Sequence, residues 1–332
     1  MTEFDSDGSA AHCFPPLEAC YLTGPTASGK TPLALEVADR LSAEIISLDS
    51  MAIYRGMDIG TAKPSIADRQ RVSHHMLDVV DPTENYSVSC YVAEVHRLSA
   101  DICSRGKQVL FVGGTPLYLK SLIRGSFLGP PANAEFRQAV EADVSQYGLE
   151  ELRRRLMQVD PLMAHKLHPN DQRRMIRALE VAMTTGRPLS HWQTQFETPA
   201  SNPRIRVAVL SLERSWLHQR INTRVDQMLA NGLEGEVRQL QTEHGALSNT
   251  AAQAVGYREM LTAIGESTLP QLHSGLLADV SQAIQAHTRQ FARRQEIWFR
   301  GLKELERFEL TPESTLDTLA DRIADWYKVG YN

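Results

Sequence analysis

Cysteine is scarce: the chain has four in 332 residues, Cys13, Cys20, Cys90 and Cys103, with no C-x-x-C pair and no matching histidine pattern. That excludes a disulfide framework and a structural zinc, and points to free thiols in a reducing compartment. Twenty glycines and 16 prolines are too few for a collagen-like or low-complexity chain. Nowhere do 18 apolar residues run together, so no membrane-spanning helix is expected. Near the start stand Glu3, Asp5 and Asp7, where a secretory signal needs basic charge followed by an apolar stretch, so the expected location is cytoplasmic. A basic excess is missing too. Thirty-five Lys plus Arg against 40 Asp plus Glu give a net charge of −5, so any nucleic-acid site must be a local patch.

What is present is ordinary folded-protein material, 42% hydrophobic and 23% charged. At about 150 residues per domain the length suggests two domains, or one core with a large insertion. Residues 1–18 mix Ser, Asp, Gly and Pro15-Pro16 without periodicity and read as a flexible tail. From Ala19 a short apolar strand runs to Thr23, a glycine turn follows, and Pro32 opens a helix with Leu33, Val37 and Leu41 on one face. Strands over 44–48 and 108–112 alternate with a helix over 88–104, which predicts an α/β fold with a parallel sheet and a ligand beyond the strands' C-terminal ends. Residues 117–200 lack a convincing strand and read as a helical insertion, with helices over 136–159 and 171–185. A strand over 205–212 and helices over 216–231, 233–243, 280–305 and 316–327 follow. The expected core is therefore residues 19–116 and 201–332.

The strongest motif is Gly24-Pro25-Thr26-Ala27-Ser28-Gly29-Lys30-Thr31, which fits the phosphate loop G-x-x-x-x-G-K-S/T between a strand and a helix. Loop amides and a helix N-terminus converge there on anionic oxygens, Lys30 neutralises a terminal phosphate, and the Thr31 hydroxyl suits Mg²⁺. Amides and a lysine recognise charge, so the motif leaves open which polyphosphate binds. Asp49 ends the next strand on the same sheet edge, as a general base, an Mg²⁺ ligand or a plain turn aspartate. Thr115 follows Gly113-Gly114 and is a second candidate there, or a helix cap. Basic runs stand at Arg153–Arg155, at Arg173, Arg174 and Arg177, and at Arg289, Arg293, Arg294, Arg300, Lys303 and Arg307, the last set along one expected helix with Trp298 and Phe299. Each is a solvated face or an RNA contact. His74-His75 has no partner at metal spacing and is read as structural; Tyr257 and Arg258 read first as a core aromatic and a surface cation, and second as RNA contacts.

The phosphate loop, the run from Asp49 to Pro64, His74-His75, Gly113 to Tyr118, His168 to Val181, Arg224 to Met228, Ala254 to Arg258 and Arg289 to Trp298 occur in one order. Together they resemble the bacterial branch of the tRNA dimethylallyltransferase (tRNA isopentenyltransferase) family over nearly everything after residue 18. The resemblance implies a P-loop NTPase-like core that binds dimethylallyl diphosphate in place of ATP. It implies transfer of the dimethylallyl group to N6 of the adenosine on the 3′ side of the anticodon. By position, 24–31 hold the diphosphate with Mg²⁺ on Thr31, Asp49 is the base, and Thr115 and Arg224 join it as catalytic residues. The implied tRNA contacts are Asp49, Ser50, Met51, Ala52, Thr115, Arg137, Arg173, Arg174, Arg177, Gln253, Gly256, Tyr257, Arg258, Arg289, Arg293 and Arg294. Ala52, Arg173 and Gln253 depart from the family's usual residues. The implied partners are the anticodon stem-loop of tRNA and dimethylallyl diphosphate, without a membrane, and a monomer is expected. A small-molecule P-loop kinase, an RNA-binding regulator with a degenerate site and a prenyltransferase acting on AMP or ADP are the competing readings of the residues themselves.

Overall fold

A computed structural model of the protein describes residues 12–130, 132–193, 202–267 and 269–329. Among them lie eight strands: β1 His12–Phe14, β2 Cys20–Thr23, β3 Ala43–Ser47, β4 His74–His75, β5 Gln108–Gly113, β6 Ser126–Leu128, β7 Arg206–Leu212 and β8 Leu305–Leu310. The chain divides into two compact units, residues 17–123 with 200–332, and residues 1–16 with 124–199.

The larger unit carries one six-stranded sheet in the order β4-β3-β5-β2-β7-β8, with every neighbouring pair parallel. β2 is central. Its four residues are all buried, which is why it reads as an apolar run and not as an alternation. The strands that follow β2 first fill one side of it and later the other, which places a crevice at its C-terminal end. The Tyr21 ring stacks on Phe111 with centroids 4.9 Å apart. Helix Lys30–Leu41 packs Leu33, Val37 and Leu41 into the same apolar cluster as Leu319 and Ile323 of helix Leu316–Val329, while the Tyr327 hydroxyl donates to the Tyr21 carbonyl at 2.5 Å. Each such fully buried side chain contributes about 1.5–3 kcal/mol, so this cluster fixes the helix that begins at the phosphate loop. The parallel sheet flanked by helices is the P-loop-type core expected from the sequence.

Several boundaries differ from expectation. Position 117, the expected start of the insertion, lies inside helix Pro116–Arg124, whose Leu119, Leu122 and Ile123 are fully buried. The long C-terminal helix runs Ser274–Arg300 and ends at Gly301, and the expected helical residues beyond it turn into β8, so Lys303 and Arg307 leave the helix that carries Arg289 to Arg300. β8 alternates buried Phe308 and Leu310 with exposed Arg307 and Glu309, a strand period that the adjoining helical pattern hides. Helix Ile66–Arg71 and the edge strand β4 were not expected. In β4, His75 Nε2 meets Glu44 at 2.8 Å and His74 Nδ1 meets the Val72 carbonyl at 2.7 Å, consistent with structural histidines.

In the smaller unit, β1 pairs antiparallel with β6, so residues 12–14 form a strand where a tail was expected; residues 1–11 lie outside the described part. The expected helix over 136–159 is two, Ala134–Tyr147 and Leu149–Val159, separated by Gly148 at φ 83°. Leu152 and Leu156 from the second pack with Ile176 and Leu179 of helix Gln172–Thr185 in a core of their own.

Candidate active site

β2 delivers the chain into the phosphate loop, and Thr23 Oγ1 donates to the Gly113 carbonyl of β5 at 2.8 Å, fixing the exit of both strands. The loop turns through φ 150° at Gly24, 62° at Ala27 and 90° at Gly29. A left-handed alanine is costly, and such strain persists only where the surroundings enforce it. Here Arg220 does so, its Nε donating to the Ala27 carbonyl at 2.8 Å while a Cβ on Gly29 would stand 3.2 Å from its Nη2. Gly29 caps the helix with no side-chain bond, so the first-turn amides remain available to an anion. A cleft of about 610 Å³ opens over this loop, lined also by Asp49, Lys63, Arg220, Arg224 and Gln295.

Lys30 Nζ donates to the carbonyls of Gly24 and Pro25 at 2.9 and 2.7 Å and to Ser28 Oγ at 3.4 Å. Burial and the nearby Arg224 charge push its pKa down to about 7, against the opposing pull of Asp49. Arg224 is likewise lowered by burial and supported by Asp49, and its Nη2 donates to the Thr61 carbonyl at 3.4 Å. Lys30 and Arg224 thus repel each other beside one carboxylate, with Arg220 also on the cleft wall, an arrangement that an incoming polyanion relieves.

Asp49 follows β3. Its Oδ1 accepts from the amides of Met51 at 2.8 Å and Ala52 at 3.4 Å, while Oδ2 has no protein hydrogen bond among the described residues. One oxygen holds the turn and the other is free to take a proton in the cleft. Thr115, expected as a reacting group, does not line the cleft: its Oγ1 accepts from the Ser50 amide at 3.1 Å and donates to Ser50 Oγ at 3.5 Å, which ties the exit of β5 to that of β3. Gly113 is required by contact, since a Cβ there would stand 2.2 Å from the Leu48 carbonyl oxygen.

Two residues of this site escaped the sequence reading. Arg220 stands one helical turn before Arg224, a spacing that could have flagged it. Gln295 is 3% exposed on the inward face of helix Ser274–Arg300, where Oε1 accepts from the Thr26 amide at 2.8 Å and Nε2 donates to the Gly114 carbonyl at 2.6 Å. Nothing in the arginine-rich run around it signals that contact.

The expected RNA-contacting residues divide by environment. Tyr257 is buried and its hydroxyl donates to Glu236 at 2.5 Å, so its ring is interior and unavailable for stacking on a base. Gly256 is buried with φ 98°, and its amide donates to Glu259 at 2.7 Å. The Arg258 guanidinium is held by Glu259 at 2.6 Å. Met51 and Ala52 belong to the Asp49 turn, while Gln253 is exposed. In the smaller unit Arg137 and Arg177 both hold Glu180, which is 1% exposed: burial pushes that carboxyl up, and the bonds from the two arginines outweigh it and lower its pKa. Arg173 and Arg174 are exposed, with Arg174 3.4 Å from Asp171. On the larger unit, Arg289 and Arg293 line a groove of about 570 Å³ with Arg214, His218, Arg300 and Glu296. Arg289 donates to Asn222 at 2.7 Å, and none of these four arginines has a carboxylate partner among the described residues. Arg294 is exposed with its guanidinium 6.0 Å from the Phe291 ring centre. Among the described residues no three His, Cys, Asp or Glu side chains form a metal cluster.

The family model described as IPP transferase matches residues 52–302. The chain is similar to a protein of Rhodopirellula baltica named tRNA dimethylallyltransferase, 48% identical over 302 residues covering 88% of each chain. It is also similar to a Geobacter metallireducens protein of the same name, 44% identical, covering 85% of this chain and 89% of that one. Among solved structures, a tRNA isopentenylpyrophosphate transferase from Bacillus halodurans aligns at TM-score 0.65 and 34% identity over 95% of this chain and 98% of that chain. A eukaryotic dimethylallyltransferase acting on tRNA aligns at TM-score 0.76 and 27% identity over 93% and 77%.

Proposed function

Because this chain belongs to the IPP transferase family, we propose that it is a tRNA dimethylallyltransferase. It moves the dimethylallyl group of dimethylallyl diphosphate to N6 of the adenosine on the 3′ side of the anticodon and releases diphosphate. The observation that carries this reading is the shared cleft: a phosphate loop, two arginines and a carboxylate with one free oxygen meet there. As the allylic C–O bond breaks, its electron pair goes to the diphosphate, where the loop amides, Lys30, Arg220 and Arg224 stabilise the growing negative charge. The N6 lone pair forms the new C–N bond, and the N6 proton passes to Asp49.

The Thr31 hydroxyl, at the start of the helix and on the cleft wall, has no protein partner among the described residues. It fits Mg²⁺, which binds through few protein ligands plus substrate phosphates and water. When bound, the ion would neutralise diphosphate charge.

An adenosine stacked in an RNA loop must leave its neighbours to reach Asp49, and phosphate contacts offset that cost. The groove around Arg289 and Arg293 and the exposed Arg173 and Arg174 supply such contacts. We read the protein as a cytoplasmic monomer; no described helix is long and apolar enough to cross a membrane. The test is incubation with labelled dimethylallyl diphosphate, Mg²⁺ and either tRNA or AMP. Label in tRNA is expected. Label in AMP alone, or phosphoryl transfer from ATP without prenyl transfer, overturns the reading.

A further inference from the structure

We propose that Glu236 is a positioning residue for the diphosphate site, acting on Arg224 through the backbone of the loop over residues 58–62. It rests on the proposed prenyl transfer and adds a residue that neither the phosphate loop nor the Asp49 turn contains. Glu236 stands on helix Leu233–His244. Its Oε2 accepts from the amides of Asp58 at 2.9 Å and Ile59 at 2.7 Å, and its Oε1 from the Gly60 amide at 3.2 Å and the Tyr257 hydroxyl at 2.5 Å. Three successive amides converging on one carboxylate is a backbone anion nest, filled here by the protein's own side chain. The Tyr257 ring lies so close beneath Gly60 that a Cβ there would stand 2.4 Å from it.

The next residues of the loop form the cleft wall, Thr61 to Pro64. Lys63 pins them from the other side: its side chain is 1% exposed, and Nζ donates to the Tyr54 carbonyl at 2.5 Å, Asp58 at 2.7 Å and Asp78 at 2.5 Å. Between the two anchors, Ala62 adopts φ 49°, a left-handed conformation that an alanine keeps only when held. The Thr61 carbonyl is the single protein acceptor for the Arg224 guanidinium among the described residues. The direction of Arg224 is therefore set by where this loop is held, and Glu236 holds it without touching the cleft.

Glu236→Gln presents an NH₂ to at least one backbone N–H, so the nest is broken with little change in volume. Misplacing Arg224 forfeits a charge-assisted contact to the diphosphate, which is worth about ten- to a hundredfold in affinity. The assay is calorimetric affinity for dimethylallyl diphosphate in wild type, Glu236→Gln, Tyr257→Phe, Arg224→Ala and the doubles with Arg224→Ala, with tRNA affinity measured alongside. The expected result is a loss of about ten- to a hundredfold for Glu236→Gln, a smaller loss for Tyr257→Phe, and less than about twofold for either change once Arg224 is alanine, with tRNA affinity unchanged. Equal losses with and without Arg224 would mean a general structural role and overturn the proposal, as would no loss in either background. Tyr257→Phe keeps the ring and removes one bond of four, so the cycle remains readable if Glu236→Gln fails to fold. Wild-type protein that neither binds dimethylallyl diphosphate nor prenylates tRNA refutes the function itself, a separate outcome.

Discussion

Binding of the diphosphate substrate should take up a proton at Lys30. In the ligand-free cleft, burial and the Arg224 charge hold this lysine near pKa 7, well below its ordinary 10.5. A bound polyanion favours the charged form and returns the pKa toward its ordinary value. With a free-state pKa of about 7, Lys30 is about nine-tenths neutral at pH 8 and about one-tenth neutral at pH 6, so uptake should approach one proton at pH 8 and nearly vanish at pH 6. Affinity then weakens as pH rises above 7, approaching tenfold or ~1.4 kcal/mol per pH unit. Calorimetry at pH 8 in two buffers of different ionisation enthalpy counts the protons directly. Lys30→Met removes the titrating amine and subtracts any proton taken up by the ligand. Wild-type uptake below about 0.2 proton at pH 8, or equal uptake in Lys30→Met, refutes the reasoning. The same shift has a consequence for the ligand-free fold. Because the folded pKa lies below the unfolded one, the unfolded chain binds more protons between about pH 7 and 10.5, so this group's contribution to stability rises with pH across that window.

Asp49→Asn keeps the turn's shape and removes the base, so single-turnover rates should fall about 10²- to 10⁴-fold while tRNA affinity changes little; a rate within about threefold of wild type would sink the assignment. Gln295→Ala leaves the Thr26 amide and the Gly114 carbonyl without their side-chain partner, which should cost about 1–3 kcal/mol in denaturant unfolding and weaken diphosphate binding; unaltered stability would show that water replaces both bonds. Replacing Arg214, Arg293 and Arg300 by alanine should flatten the salt dependence of tRNA binding by about 0.7–0.9 in the log–log slope for each phosphate that an arginine no longer neutralises, and an unchanged slope returns the groove to an ordinary solvated face.

The parts of the molecule legible in the sequence are those whose physics is local. The phosphate loop declares itself because its glycines, lysine and threonine are consecutive, and the strands on either side show as short apolar runs since a parallel sheet buries both faces. Asp49 was legible for the same reason, as a carboxylate at a strand's end. What the sequence hid depends on long-range pairing. Gln295 contacts Thr26 across 269 positions, and its neighbours are arginines, so the helix reads by composition as a basic surface while its inward face closes the phosphate loop. β8 hides because its six residues carry two Glu, an Arg and one strongly apolar alternation shortly after a 27-residue helix. Tyr257 shows the two sources apart: its residue type reads first as a core aromatic while the resemblance implies an RNA contact, and the ring supports Gly60 from the interior.

The charge distribution resolves how a chain of net charge −5 can serve a polyanion. Many acids lie against arginines that they neutralise locally: Glu36 with Arg40 and Arg71, Glu44 with Arg105, Glu151 with Arg154 and Arg155, Glu180 with Arg137 and Arg177. Solvent screens the exposed pairs among them, so they add little to stability, but every pair cancels field. The arginines without a carboxylate partner among the described residues of the larger unit include Arg220 and Arg224 on the cleft and Arg214, Arg289, Arg293 and Arg300 in the groove. Both sets ride on helices Arg214–Ala230 and Ser274–Arg300, in which Leu217, Ile221 and Ala292 are buried in one apolar cluster. Positions 289 to 300 span about 16 Å along the helix at 1.5 Å per residue, too long for one diphosphate and suited to successive phosphates of a strand. The field that matters is therefore what remains after pairing, concentrated where one helix pair presents cations to the cleft and to the groove, the surfaces proposed above for the leaving group and the RNA.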